Sequence, residues 1–157
     1  MKSVIRLIIS GPALAILLLS VPAWGEQVRP TFHSYLTTEG ANKQPAMDQK
    51  EHFECSDTIY VVVEVTAPER QQASEHLLIV KWFNPDGKLQ ERTRFEFNSY
   101  GKGTRVWAWL RLSGSTGASV GRMFDPAFGM SEFIGDWRAE VYIDDKKHST
   151  LKFDVLC

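Results

Sequence analysis

An all-β domain, folded as an antiparallel sandwich of two sheets, is what the sequence predicts, and three observations carry the prediction. From Thr31 onward apolar residues recur with a period close to two, no run of ten or more residues bears a helical stripe, and turn residues cut the chain into about seven short extended segments. One domain accounts for the length. Residues 1–25 have the build of a cleavable signal peptide: Lys2 and Arg6 at the positive end, an apolar stretch from Leu7 to Val21, and Ala23 and Gly25 as the small residues ahead of a cut before Glu26. Pro12 interrupts that stretch, so its unbroken apolar runs fall short of the roughly 20 residues of a spanning helix, and no cysteine stands at the cut to take a lipid anchor. Residues 26–157 are then a single domain, of a size that buries about two-thirds of its unfolded surface.

The elements follow in order. Arg29 to Thr37 reads as a first strand, and residues 39–50, with Gly40, Asn42, Pro45 and Asp48, as a polar loop. Thr58 to Thr66 is the strongest strand, rich in β-branched residues, with Ile59, Val61, Val63 and Val65 on one face and Tyr60, Val62 and Glu64 on the other. A polar connection from Pro68 to Glu75 leads to a strand from Leu77 to Phe83. Asn84-Pro85-Asp86-Gly87 turns it into a hairpin with Leu89 to Phe97, because the Asp-Gly step supplies the positive φ that tight hairpin turns require. On the returning strand Leu89, Thr93, Phe95 and Phe97 oppose Gln90, Arg92, Arg94 and Glu96, so one face is wet.

After a turn at Gly101 to Gly103, Thr104 to Leu112 sets Val106, Ala108, Leu110 and Leu112 against Arg105, Trp107, Trp109 and Arg111. Residues 113–135 form a connection long enough to be functional or partly structured. Asp136 to Ile143 and His148 to Leu156 make a second hairpin, in which Trp137, Ala139, Val141 and Ile143 share a face, as do Leu151, Phe153 and Val155. About seven strands in a domain of this size is the pattern of an immunoglobulin-like sandwich, with a closed barrel as the alternative.

Cys55 and Cys157 are the chain's two cysteines, and a leader directs them to a compartment where thiols are oxidised, so one disulfide is the expected state. Free thiols or an intermolecular pair are the alternatives. In an immunoglobulin-like topology the start of the second strand and the end of the last meet at one end of the domain, and these cysteines stand at those two places.

The run Trp82-Phe83-Asn84-Pro85-Asp86-Gly87-Lys88, then Gly135-Asp136-Trp137-Arg138-Ala139-Glu140-Val141-Tyr142 and a closing strand with Phe153 and Val155, resembles the immunoglobulin-like modules of bacterial envelope proteins. The likeness spans most of residues 55–157 and its motifs are structural, a hairpin turn and a tryptophan on the penultimate strand. It implies a fold and a location. Such modules bind, space or assemble and share no catalytic residues, so no functional residue carries over. The chain departs from the simplest pattern in Asp145, where a turn glycine is common, and in its long 113–135 connection.

Charge narrows the partners. With Lys2 and Arg6 removed from the 18 basic residues, 16 face 19 acidic ones and the net charge is near −3, which gives no overall footprint for nucleic acid or for an anionic membrane face. The histidines His33, His52, His76 and His148 lack the short spacing of metal ligands on one element, and a zinc site of His52, Cys55 and Cys157 competes with the disulfide for the same sulfurs. Asp136, Asp144 and Asp145 read as solvated turn carboxylates before they read as calcium ligands. Gly101-Lys102-Gly103-Thr104 lacks the Lys-Ser/Thr step of a phosphate loop, and Ser115 lacks the glycine spacing of a nucleophile elbow.

Two sets of candidate binding residues are left. Trp107 and Trp109 lie two apart on one strand face between Arg105 and Arg111; exposed, they suit a sugar ring or a peptide strand, and otherwise they pack in the sandwich or under a loop. The connection carries Phe124, Phe128 and Met130, which either fold back as a lid over the open end of the sandwich or form a contact patch. The expected protein is therefore an exported, periplasmic or secreted module of the cell envelope that binds or assembles without catalysis, metal or cofactor. Its partner is another envelope protein or a glycan. A carbohydrate-binding module using the aromatic strand is the first alternative and a small periplasmic hydrolase the second.

Overall fold

The computed structural model describes residues 30–67, 73–100, 102–112 and 131–157. The leader and residues 113–130, with Phe124, Phe128 and Met130, lie outside them. The described chain forms β1 (Thr31–Thr37), β2 (His52–Glu54), β3 (Thr58–Thr66), β4 (Ser74–Phe83), β5 (Leu89–Ser99), β6 (Lys102–Arg111), β7 (Gly135–Ile143) and β8 (Lys146–Leu156). They build two sheets, ordered β1-β3-β6 and β2-β8-β7-β4-β5. The architecture is an immunoglobulin-like β-sandwich, the two separate sheets deciding against the closed barrel, and all pairs are antiparallel except β2 with β8.

Period-two patterning decides what faces inward. Ile59, Val61, Val63 and Val65 of β3 meet Leu78, Val80 and Trp82 of β4, Trp137, Ala139 and Val141 of β7, and Phe153 and Val155 of β8 in one buried core. At its centre the Trp137 ring stacks on Phe153 at 6.0 Å and Trp82 meets the same phenyl edge-on at 6.3 Å. The Trp137 indole donates to the Phe133 carbonyl at 2.7 Å, so the described end of the long connection folds back onto the core, with Phe133 buried and Ile134 exposed.

The strand β2 is the element that the sequence hides. It is three residues long, too short to show alternation, and lies beside the polar loop. Its parallel register pairs Glu54 with Leu156, so the next residue on each strand is a cysteine. Cys55 and Cys157 are joined there, with Cα atoms 5.3 Å apart, and Phe53 packs edge-on against Phe153. A bridge closing a loop of this length contributes about 2–4 kcal/mol.

Both hairpin turns follow their residues. Gly87 takes a φ of 75° and closes the first turn with its N–H on the Asn84 carbonyl. In the second, Asp144 and Asp145 have φ of 51° and 62°, the type I′ geometry that usually selects asparagine or glycine. Asp144 is held there because one carboxylate oxygen accepts from the Leu77 N–H at 2.9 Å and the other from His76 Nδ1 at 2.8 Å.

Candidate functional site

Register places the candidate residues on the outer face of the three-stranded sheet. Reading from β1 through β3 to β6, the rows are His33, Glu64 and Arg105; then Tyr35, Val62 and Trp107; then Thr37, Tyr60 and Trp109; Thr58 and Arg111 follow. Strand geometry puts the two indoles about 7 Å apart on one side.

The middle of this face is closed. Tyr35, Thr37, Tyr60 and Val62 are buried although they point away from the core. The segment 38–50 crosses over them as a strap. Its Ala46 N–H donates to the Thr38 carbonyl and its Lys50 N–H to the Leu36 carbonyl, while Gly40 N–H reaches Gln44 O at 2.6 Å. Any side chain at Gly40 would press on the Ala46 backbone at 3.0 Å, so glycine permits the tight fold.

Arg105 is the clamp. Reaching from the far strand, it donates to the carbonyls of Pro45 and Ala46 and to the Tyr35 hydroxyl, which in turn donates to Glu64. Burial pushes the Tyr35 hydroxyl above the ordinary phenol range, the Arg105 hydrogen bond opposes that, and the bond to Glu64 adds to it. Burial, with Glu39 nearby, raises Tyr60 as well. Of the two arginines read as flanking the indoles, Arg105 is thus engaged within the fold and Arg111 is exposed.

The strap stops short of the two tryptophans. Trp109 is 56% exposed and Trp107 36%, and among the described residues their strand β6 pairs in the sheet ladder only with β3. Indole faces, a guanidinium and an unpaired strand edge therefore lie side by side. That arrangement takes up a flat ring by stacking, or an extended peptide by strand addition.

Other clusters have different characters. His76 bridges Asp144 to Ser74, with Nδ1 2.8 Å from the carboxylate and Nε2 2.8 Å from the hydroxyl, the outline of a nucleophile relay that its spacing in the chain did not suggest. Its setting is that of a plug. Ser74 and His76 point to the inner side, the ring lies between Phe32 and Phe97, and the Ser74 hydroxyl also bonds Ser99, which is 2% exposed. Burial raises the Asp144 pKa, but the bonds from His76 and Leu77 outweigh it and hold the carboxyl below its ordinary range.

Asp136 and Asp144 stand at opposite ends of β7, so the aspartates weighed as calcium ligands are not gathered. Asp136 instead faces Asp154, whose other side meets His52 Nδ1 at 3.1 Å. The hydrogen bond with Asp154, and then its charge, raise the Asp136 pKa. These carboxylates border a cleft of about 420 Å³ beside the Asn84–Gly87 turn.

No protein-family model and no curated protein matches the chain. Solved structures do. An immunoglobulin-like protein from Pseudomonas aeruginosa is similar at 12% identity and a TM-score of 0.44, over 84% of this chain and all of that one. A β-glucosidase from Listeria innocua, solved with glucose, gives 10% identity and a TM-score of 0.46 over 80% of this chain and 16% of its own. An alkylpurine DNA glycosylase from Pseudomonas fluorescens, bound to DNA containing an abasic site analog, gives 11% and 0.42 over 82% of this chain and 30% of its own. At these values the likenesses carry no functional argument.

Proposed function

We propose that this chain is an exported, non-catalytic binding module of the bacterial cell envelope, and that it grips another envelope protein along β6. The observation that carries the reading is the exposed pair Trp107 and Trp109 on a strand edge with no partner among the described residues, with Arg111 beside it. An extended segment of the partner adds to that edge by backbone hydrogen bonds and lays alternate side chains on the indoles. The Cys55–Cys157 bond suits an oxidising compartment, and among the described residues no helix is long and apolar enough to cross a membrane.

Site-specific photo-crosslinking tests this. A photoreactive phenylalanine analogue in place of Trp109 should give a discrete protein adduct in intact cells, absent when the analogue replaces Met47, which is exposed on the strap. No adduct from position 109, or the same adduct from both positions, contradicts the reading. The spacing of the indoles also favours a second reading, a carbohydrate module. A shift in tryptophan emission on a glycan panel, lost in the Trp107→Ala/Trp109→Ala variant, would favour it over the first.

A further inference from the structure

The strap over the three-stranded sheet is weakly held. Of residues 38–50, Pro45 is buried, Thr38, Gly40 and Ala46 are half-buried, and the rest are exposed. Its crest is strained, because Asn42 and Lys43 take a φ of 59° and 58°, where a side chain crowds the backbone. Beneath it the Thr37 hydroxyl and Arg105 Nε are buried and find no hydrogen-bond partner among the described residues, which a settled cover would supply. At its trailing end a cleft of about 520 Å³ is lined by Gln49 and Lys50 on one side and Thr150 and Lys152 on the other. Few buried contacts and exposed backbone bonds mark a segment that opens locally while the rest of the fold stays closed.

What the strap covers is the other half of the face that carries the indoles. Tyr60 stands directly opposite Trp109, and Tyr35 lies in the row of Val62 and Trp107. Two tyrosines, a valine and two tryptophans thus form one continuous platform, of which the tryptophan half is open and the tyrosine half closed. Aromatic anchors grouped in this way are what a protein partner grips. The clamp on the strap is also not particular to it. Arg105 bonds two main-chain carbonyls, those of Pro45 and Ala46, and any extended chain carries the same acceptors.

We infer that the strap is a displaceable lid, and that the partner's chain, after pairing with β6, crosses the platform in its place, packing on Tyr35 and Tyr60 and giving two of its own carbonyls to Arg105. The inference rests on the reading of β6 as the docking edge and adds to it a second, covered half of the site. Because the lid is shut in the free protein, the partner's apparent affinity is reduced in proportion to the fraction of molecules that are open. A change that loosens the strap therefore strengthens binding, and one that settles it weakens binding.

Two measurements separate the lid from the reading beneath it. In native-state amide exchange of the free protein, disulfide intact, the Ala46 and Lys50 amides should exchange about a hundredfold faster than those of β7 and be insensitive to dilute urea, as local opening requires. Pro45→Gly should quicken them about tenfold more, and Lys43→Gly, which relieves the positive φ, should slow them. Protection at Ala46 and Lys50 equal to that of β7 overturns the lid. The second measurement is photo-crosslinking in intact cells with azidophenylalanine, close to tyrosine in size, in place of Tyr60. It should give the same partner adduct as position 109, in higher yield with Pro45→Gly and lower yield with Lys43→Gly. An adduct from position 109 with only internal crosslinks from position 60 overturns the lid and leaves the β6 reading standing. No adduct from position 109, with or without Pro45→Gly, overturns both.

Discussion

The two sheets present opposite solutions to the same problem, an outer face that the core does not use. On the three-stranded sheet the outward residues Tyr35, Tyr60 and Val62 are apolar, and the chain covers them with its own strap, clamped by Arg105. On the five-stranded sheet cations and carboxylates share the outward face, and Lys81 and Arg138 lie over the Tyr142 and Phe83 rings instead. The comparison shows that an outward position is a matter of strand phase, whereas exposure depends on what later segments lay over it. Trp107 and Trp109 are informative because neither device reaches them.

Substitutions can break this contrast, and the largest effect belongs to the core. Trp82→Ala or Trp137→Ala should cost about 3–5 kcal/mol, read by urea unfolding, because each empties a buried indole site. A loss below about 1 kcal/mol would mean that these rings do not hold the sheets together. Next is the clamp. Arg105→Ala removes charge-assisted bonds to two strap carbonyls and should cost about 1.5–3 kcal/mol, with faster amide exchange at Ala46 and Lys50 and unchanged exchange in β7. Uniform acceleration throughout the domain would assign Arg105 a global role instead.

A smaller effect should sit in the Asp144 turn. The folded carboxyl has a lowered pKa, so its stabilisation is complete above the unfolded value near 4 and fades as pH falls through the folded value. Asp144→Asn, which keeps the positive φ, should lower stability at pH 7 by less than about 1 kcal/mol, given how exposed this side chain is. The difference should vanish at low pH. Asp136 has the reverse sign: its raised pKa means that ionisation beside Asp154 opposes folding at neutral pH, so Asp136→Asn should raise the melting temperature at pH 7 and have no effect below the ordinary carboxylate range. Smallest of all, Trp109→Ala should change stability by no more than about 0.5 kcal/mol, as an exposed side chain does. A large loss would show the indole to be structural.

Much of this was legible because alternation encodes faces directly. The inward sets of β3, β7 and β8 were read residue by residue from the period, and the cysteines joined where strand order puts the chain ends. What the sequence concealed lies between strands. The short β2 shows no period, and nothing in a polar stretch with Gly40 and Pro45 announces a strap that buries two tyrosines. That Lys81 stands between Arg92 and Glu140 across the ladder likewise follows only from the register. His76 meets Asp144 across 68 residues of chain, so its relay with Ser74 follows from the fold rather than from spacing.

Hydroxyl-radical footprinting of the oxidised protein, read residue by residue by mass spectrometry, tests the central claim most directly, because it labels every aromatic ring in one experiment. Labelling should be fastest at Trp109, slower at Trp107, and strongly suppressed at Trp82, Trp137, Tyr35 and Tyr60, with Tyr60 becoming reactive when Arg105 is changed to alanine. A protected Trp109, or a Tyr60 already as reactive as Trp109 in the unaltered protein, would contradict the account.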